Sequence, residues 1–274
     1  MKELVVISGK GGTGKTSITA AFASLTQNFV LADCDVDAAD LHLVMGPDIK
    51  DKNDFSGGKQ ASVIAEKCIG CGKCAQMCRF GAIALNGPAN DTIDKTYTVD
   101  PVSCEGCKVC VEFCPVDAIE FKDAINGQWF ISDTRFGPMV HAKLGIAEEN
   151  SGKLVTLIKN QSREIAEESN KDMVLVDGSP GIGCPVIASV SGADYAVLVT
   201  EPTPSAISDL KRAYQIVQHF GIKAALVLNK ADINRGFMPK LEEFCQQAEL
   251  PLITKIPYNI NFLYAIQQMQ PIVD

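Results

Sequence analysis

Nine consecutive residues near the start of the chain, Ser8-Gly9-Lys10-Gly11-Gly12-Thr13-Gly14-Lys15-Thr16, constrain what the rest can fold into. Before them lies an apolar run, Leu4-Val5-Val6-Ile7, which reads as a buried parallel strand. After them, Ser17 to Leu25 reads as a helix. Gly9, Gly14, Lys15 and Thr16 satisfy G-x-x-x-x-G-K-[ST] in the strand–loop–helix setting that a phosphate-cradling loop requires. Glycines let successive backbone N–H groups converge on a phosphate with no Cβ in the way, and the helix N-terminus adds its positive end. The expected nucleotide-binding residues are therefore Gly9, Gly11, Gly12, Thr13, Gly14, Lys15, Thr16 and Ser17. Lys15 reaches the β/γ-phosphates, and the Thr16 hydroxyl is placed to ligate Mg²⁺.

Carboxylates at strand ends complete the pattern. Phe29-Val30-Leu31-Ala32 runs into Asp33-Cys34-Asp35-Val36-Asp37, where Asp33 is the candidate to help with Mg²⁺, and Asp37 and Asp40 are weaker candidates. Met173-Val174-Leu175-Val176-Asp177 is a hydrophobic strand ending in aspartate, suited to holding a Mg²⁺-bound water. The Gly178–Pro185 segment that follows can move as a γ-phosphate comes and goes, with Gly178 and Gly181 as its flexible points. Tyr195–Thr200 is a further buried strand, and Ser205 is positioned to cap the helix after it. Cys34 and Cys245 read as small packing residues, and His42 as a surface or packing histidine.

Lys10 is not needed by an ordinary loop of this kind. With it, the motif resembles the deviant K-G-G-x-G-K-T loop of the MinD/ParA/Mrp superfamily, to which the nitrogenase iron protein and CooC-type ATPases also belong. The resemblance implies ATP and Mg²⁺ as cofactors, a homodimer on ATP binding, and a Lys10 that reaches the partner subunit's nucleotide. It gives catalytic roles to Lys10, Lys15, Asp35 and Asp177, with Asp35 orienting the attacking water. It also gives base recognition to Asn229, with Pro257 flanking the base at the end of the last strand. Asn229, Lys230 and Asp232 also fit the guanine-reading N-K-x-D pattern, so GTP stays open. Cys184 lies seven residues after Asp177, where the nitrogenase iron protein has a cluster ligand, and is a possible interface contact.

The eleven cysteines are spaced for metal rather than for disulfides. Cys68, Cys71, Cys74 and Cys78 follow C-x₂-C-x₂-C-x₃-C, and Cys104, Cys107, Cys110 and Cys114 repeat it 36 residues later, closed by Pro115. This resembles the bacterial ferredoxin run, in which the fourth cysteine serves the other cluster. The resemblance assigns one [4Fe–4S] to Cys68, Cys71, Cys74 and Cys114, and a second to Cys104, Cys107, Cys110 and Cys78. The repeat runs past the ligands, except that Arg79 stands where the second copy has proline.

The chain of 274 residues is thus expected to form an α/β P-loop NTPase with a mostly parallel sheet, interrupted by a small α+β ferredoxin-like insert. The expected division is a nucleotide domain over 1–59 and 126–274 and an insert over 60–125, with 46–60 read as a linker. Arg135–Gly152 reads as a loop or hairpin containing His141. A formal charge of −8 with no basic tract argues against nucleic acid as a partner. No apolar run is long enough to span a membrane, and no signal-peptide pattern opens the sequence, so a cytoplasmic protein with reduced thiols is expected. The expected function is an Mg-dependent ATPase, slow without a partner, coupled to electron transfer or cluster delivery toward an unidentified redox or apo-Fe–S protein. The alternative is a MinD/ParA-like positioning or regulatory switch with the clusters as redox sensor.

Overall fold

The computed structural model describes residues 1–145 and 151–273. Two compact units result. The first comprises Met1–Asn53, Gln128–Leu144 and the chain from Ser151; the second is Asp54–Gly127 with Gly145.

In the first unit, β1 (Lys2–Ser8) passes through the glycine-rich loop into α1 (Lys15–Leu25), then β2 (Phe29–Asp33), α2 (Leu41–Met45) and β3 (Asp48–Phe55). The second unit holds β4 (Gly58–Val63), α3 (Lys73–Met77), β5 (Ile83–Ala84), β6 (Thr98–Val99), α4 (Val109–Glu112) and β7 (Ile119–Ala124). The chain then makes the hairpin β8 (Gly127–Thr134) and β9 (Gly137–Leu144). It continues through α5 (Ser151–Glu168), β10 (Met173–Pro180), α6 (Cys184–Val190), β11 (Tyr195–Thr200) and α7 (Pro204–His219). Finally come β12 (Lys223–Leu228), α8 (Met238–Gln247), β13 (Leu252–Lys255) and α9 (Asn261–Gln267).

Nine strands form one sheet in the order β13-β12-β11-β1-β10-β2-β9-β8-β3. From β13 to β9 every recorded pairing is parallel. Parallel strands covered on both faces must be apolar throughout, and Val5, Val6, Ile7, Val174, Leu175 and Val176 are fully buried. Register then does the positioning. Val6 pairs with Asp177, and Asp177 pairs with Asp33, so adjacent strands deliver their terminal carboxylates side by side beneath the loop. Ligands in open parallel sheets gather at such carboxyl ends.

Two expectations need correction. The stretch 46–60 is not a linker: β3 occupies its centre as the outermost strand of the sheet, and β4 starts at Gly58. Its Asp-Ile-Lys-Asp-Lys-Asn-Asp-Phe sequence hides the strand because an edge is kept soluble by charge rather than marked by apolar alternation. The cap of α7 is Thr203, whose hydroxyl accepts from the Ala206 N–H, and not Ser205.

The β8–β9 hairpin buries His141 against Phe130, with His42 stacked beyond it. Its Nε2 lies 2.9 Å from the Ser132 hydroxyl. Burial, helped by His42, holds the imidazole's pKa down at about 4. A group that stays neutral in the fold but protonates when unfolded near pH 6.5 weakens the fold as pH falls between those values. The expected loss reaches about 3 kcal/mol by pH 4. Urea unfolding across this window should show a shallower pH slope for His141→Gln than for the parent chain.

Candidate functional site

The loop between β1 and α1 closes around one lysine. Lys15 is 5 % exposed, with its Nζ 2.9 Å from Asp177 Oδ1 and 3.3 Å from Asp35 Oδ2. Burial alone would lower this ammonium's pKa, but Asp177 and Asp35 outweigh it and the pKa lies above the ordinary value. Asp177 is fully buried and also accepts from Thr16 Oγ1 at 2.9 Å and Thr19 Oγ1 at 2.7 Å. Thr19 was not legible in the motif. Its signal is its place one turn beyond Lys15 on α1, where its hydroxyl also bonds the Lys15 carbonyl.

Asp33 sits behind this cluster. Its Oδ1 accepts the Asp35 N–H at 3.2 Å, while its Oδ2 is buried with no hydrogen-bond partner. Burial, reinforced by Asp177, pushes its carboxyl well above the usual carboxylate range. Burial also raises Asp35, against the pull of Lys15. Three carboxyl groups crowd one ammonium, and a divalent ion beside phosphates would favour their ionised forms. Among the described residues no three His, Cys, Asp or Glu side chains form a ready single-ion cage.

The loop is held from the far side of the sheet. Asn229, at the end of β12, donates from Nδ2 to the Thr13 carbonyl at 2.8 Å and accepts the Lys230 N–H on Oδ1 at 2.9 Å. Lys230 Nζ donates to the Gly12 carbonyl at 2.8 Å. Gly14 is required here: its φ is +92°, and a Cβ would stand 2.2 Å from Asn229 Nδ2. Gly9 is required by packing, since a Cβ would meet the Asp209 backbone of α7 at 2.4 Å. Asn229 is thus a loop anchor whichever base is bound. Pro257 is exposed in the segment after β13, where Ile256 accepts from Ala231 N–H and Tyr258 N–H donates to Asp232.

Lys10 lies on its own chain's surface near the end of β11. Its Nζ is 2.8 Å from Glu201 Oε1 and within 3.5 Å of the Thr203 and Ser205 hydroxyls. The other Glu201 oxygen takes Lys230 at 2.9 Å. Burial opposes ionisation of Glu201, but the two lysines prevail and hold its pKa below normal. Nothing in the sequence pattern singled out Glu201, which joins two lysines 220 positions apart only through the fold. Cys184 is exposed as the first residue of α6. The helix it begins is tied at its other end by Lys159, buried on α5, which donates to the carbonyls of Ala188, Ser189 and Ser191.

Within the second unit, the eight motif cysteines line two cavities. One is walled by Cys68, Cys71, Cys74 and Cys114; the other by Cys104, Cys107, Cys110 and Cys78. In each, three cysteines come from one run and the fourth from the other. The Ala118 N–H donates to Cys114 Sγ at 3.2 Å. Among the described residues, these cysteines included, no three His, Cys, Asp or Glu side chains stand placed to hold a single metal ion.

Comparison with known proteins places these features in context. The profile of the CobQ/CobB/MinD/ParA nucleotide binding domain matches residues 4–272. An uncharacterised protein of Methanocaldococcus jannaschii is 35% identical over 236 residues, covering 85% of this chain and 79% of its own. The septum site-determining protein MinD of Synechocystis is 24% identical over 278 residues, covering 98% and 81%. Among solved structures, Pyrococcus horikoshii MinD complexed with Mg-ADP aligns with a TM-score of 0.56 at 16% identity, covering 99% of this chain and 87% of that one. At that identity the likeness is one of fold. Among the described residues no helix is long and apolar enough to cross a membrane.

Proposed function

Given that the chain belongs to the CobQ/CobB/MinD/ParA nucleotide-binding family, we propose that it is an Mg-dependent ATPase that closes as a homodimer on ATP and thereby controls an iron–sulfur unit. In this reading residues 1–59 and 126–274 bind nucleotide, and 60–125 carry two [4Fe–4S] clusters. Lys15 takes the β/γ-phosphates, and Thr16, Asp33 and Asp177 hold Mg²⁺ and its waters. Asp35 orients the attacking water, while Asn229 and Pro257 border the base. Lys10 leaves Glu201 and reaches the twin chain's phosphates, as an arginine finger does in trans. Clusters bound by the two cysteine sets would supply one-electron transfer or be handed to an acceptor protein.

One observation carries the iron–sulfur half of the reading: two separate cavities, each lined by three cysteines of one run and the fourth of the other. The N–H donation to Cys114 sulfur fits a thiolate ligand, which lacks its own proton. A second reading keeps the same ATPase but makes it a positioning or regulatory switch with the clusters as redox sensor. It is favoured by the relatives named for septum-site determination.

Lys10→Ala is expected to leave ATP affinity near that of the parent while abolishing hydrolysis and ATP-dependent dimerisation, read by light scattering and phosphate release. Normal hydrolysis by that variant would remove the trans role. The two readings separate on output. ATP-dependent reduction of a partner by a chain that keeps its iron supports electron transfer, and iron loss to an apo-acceptor supports delivery. ATP-dependent co-sedimentation with vesicles or DNA supports the switch.

A further inference from the structure

The two cysteine cavities are built from equivalent positions 36 residues apart. Val63 and Val99, Gly70 and Gly106, Ala82 and Ala118, and Ile83 and Ile119 are matched pairs. The walls break that symmetry at five places: Ile69, Gly72, Lys73, Tyr97 and Val116 of the first cavity correspond to Glu105, Lys108, Val109, Ala61 and Phe80 of the second, and two of these pairs bear directly on each other. Tyr97 lines the cavity of Cys68, Cys71, Cys74 and Cys114, whereas its counterpart in the other cavity is Ala61. Gly72 in the first cavity corresponds to Lys108 in the second. Both residues adopt a left-handed backbone, with φ of +74° and +66°.

These two differences are linked. A Cβ on Gly72 would lie 2.9 Å from the Tyr97 hydroxyl, so a side chain there would have to displace the tyrosine that lines the first cavity. With only Ala61 opposite, the second cavity admits Lys108, which is exposed although Gly72 is buried. The ligands follow the same trend: Cys68 is buried and its counterpart Cys104 only partly so. Solvent exposure favours the reduced, more negative form of an iron–sulfur site, whereas charge does not separate the two sites: Lys108 is paired with Glu112 at 2.6 Å beside Glu105, and Lys73 lines the first cavity.

We infer that the two sites are unequal, and that the one formed by Cys78, Cys104, Cys107 and Cys110 is the port where a one-electron carrier exchanges electrons with this chain. The inference rests on the iron–sulfur reading above. In each exchange the external carrier loses or gains one electron, the port site gains or loses one, and no bond or proton is transferred. The set under Tyr97 is the sheltered, lower-potential store.

The test uses the full chain, reconstituted anaerobically with iron and sulfide, and a water-soluble Fe(II) chelator. Iron should leave in two phases of equal amplitude, and Tyr97→Ala should accelerate the slow phase several-fold while Tyr97→Phe preserves it. Ala61→Tyr should slow the fast phase, which keeps the test decisive if Tyr97→Ala fails to load. In a redox titration followed by electron paramagnetic resonance, Lys108→Glu should lower the upper of two midpoints and leave the lower one in place. Single-phase release by the parent chain, or a Lys108→Glu effect on the lower midpoint, overturns the inequality while leaving two clusters standing. A chain that takes up no iron overturns the iron–sulfur reading itself and this inference with it.

Discussion

Lys15→Ala is expected to lose nucleotide binding and fold stability together, because this lysine serves two masters. In the proposed reading it takes the β/γ-phosphates, and in the fold its Nζ lies 2.9 Å from Asp177 and 3.3 Å from Asp35. Removing one member of a buried ion pair leaves the other charge stranded, at a cost of about 3–5 kcal/mol. Here the truncation strands two carboxylates beside Asp33, whose own Oδ2 already lacks a partner. Asp33 and Asp35, whose carboxyls burial already pushes up, then respond by binding protons, so the loss should be greatest above neutrality and smaller as pH falls through those raised values. Two further measurements make the cause specific. Millimolar Mg²⁺ should recover part of the lost stability by replacing the missing cation, and Lys15→Met combined with Asp177→Asn should recover it by removing the surplus charge. Calorimetric titration with a non-hydrolysable ATP analogue reads binding, and urea unfolding reads stability. Wild-type affinity in Lys15→Ala would remove Lys15 from the phosphate site, and unchanged stability would show that the carboxylates are adequately solvated without it.

What the sequence revealed, and what it withheld, divides along the range of the interactions. The loop, α1 and β10 were legible because each is specified by neighbours in the chain: a glycine pattern, an apolar run, an aspartate at its end. The meeting of Asp33 with Asp177 is also nearly local information, since parallel strands stopping in carboxylates at the same sheet end must bring them together. By contrast β9 is a buried strand, with Met139, Val140 and Ala142 inside, yet Pro138, His141 and Lys143 interrupt its apolar pattern. Only burial of His141 as a neutral ring makes that segment compatible with the core. β3 was missed for the opposite reason, being an edge whose charges are its protection. Glu201 was invisible because its importance lies in the two lysines it receives from distant loops. The same holds for Asn229: the motif marks it as a base reader, and the fold shows its amide securing the loop.

The crossed arrangement of the cysteines predicts an all-or-none outcome from residues that sit almost identically in sequence. If Cys104 and Cys107 are both replaced by serine, the second set loses two ligands, and the chain should retain half its iron in the set completed by Cys114. On that background Cys78→Ser should change nothing, because Cys78 lines the cavity already emptied. Cys114→Ser should remove the remaining iron, although Cys114 belongs to the mutated run and Cys78 to the intact one. Uncrossed ligation predicts the reverse: Cys78→Ser would be destructive and Cys114→Ser silent. Iron and sulfide content together with the visible absorption of anaerobically reconstituted protein decide between them, and neither depends on knowing the partner. Serine is the appropriate replacement, since it keeps the side chain's size while giving up the soft thiolate that iron–sulfur sites select. The comparison also controls for folding: both triple variants carry the same number of substitutions, so a general loss of structure would strip iron from both, whereas crossed ligation strips it from one.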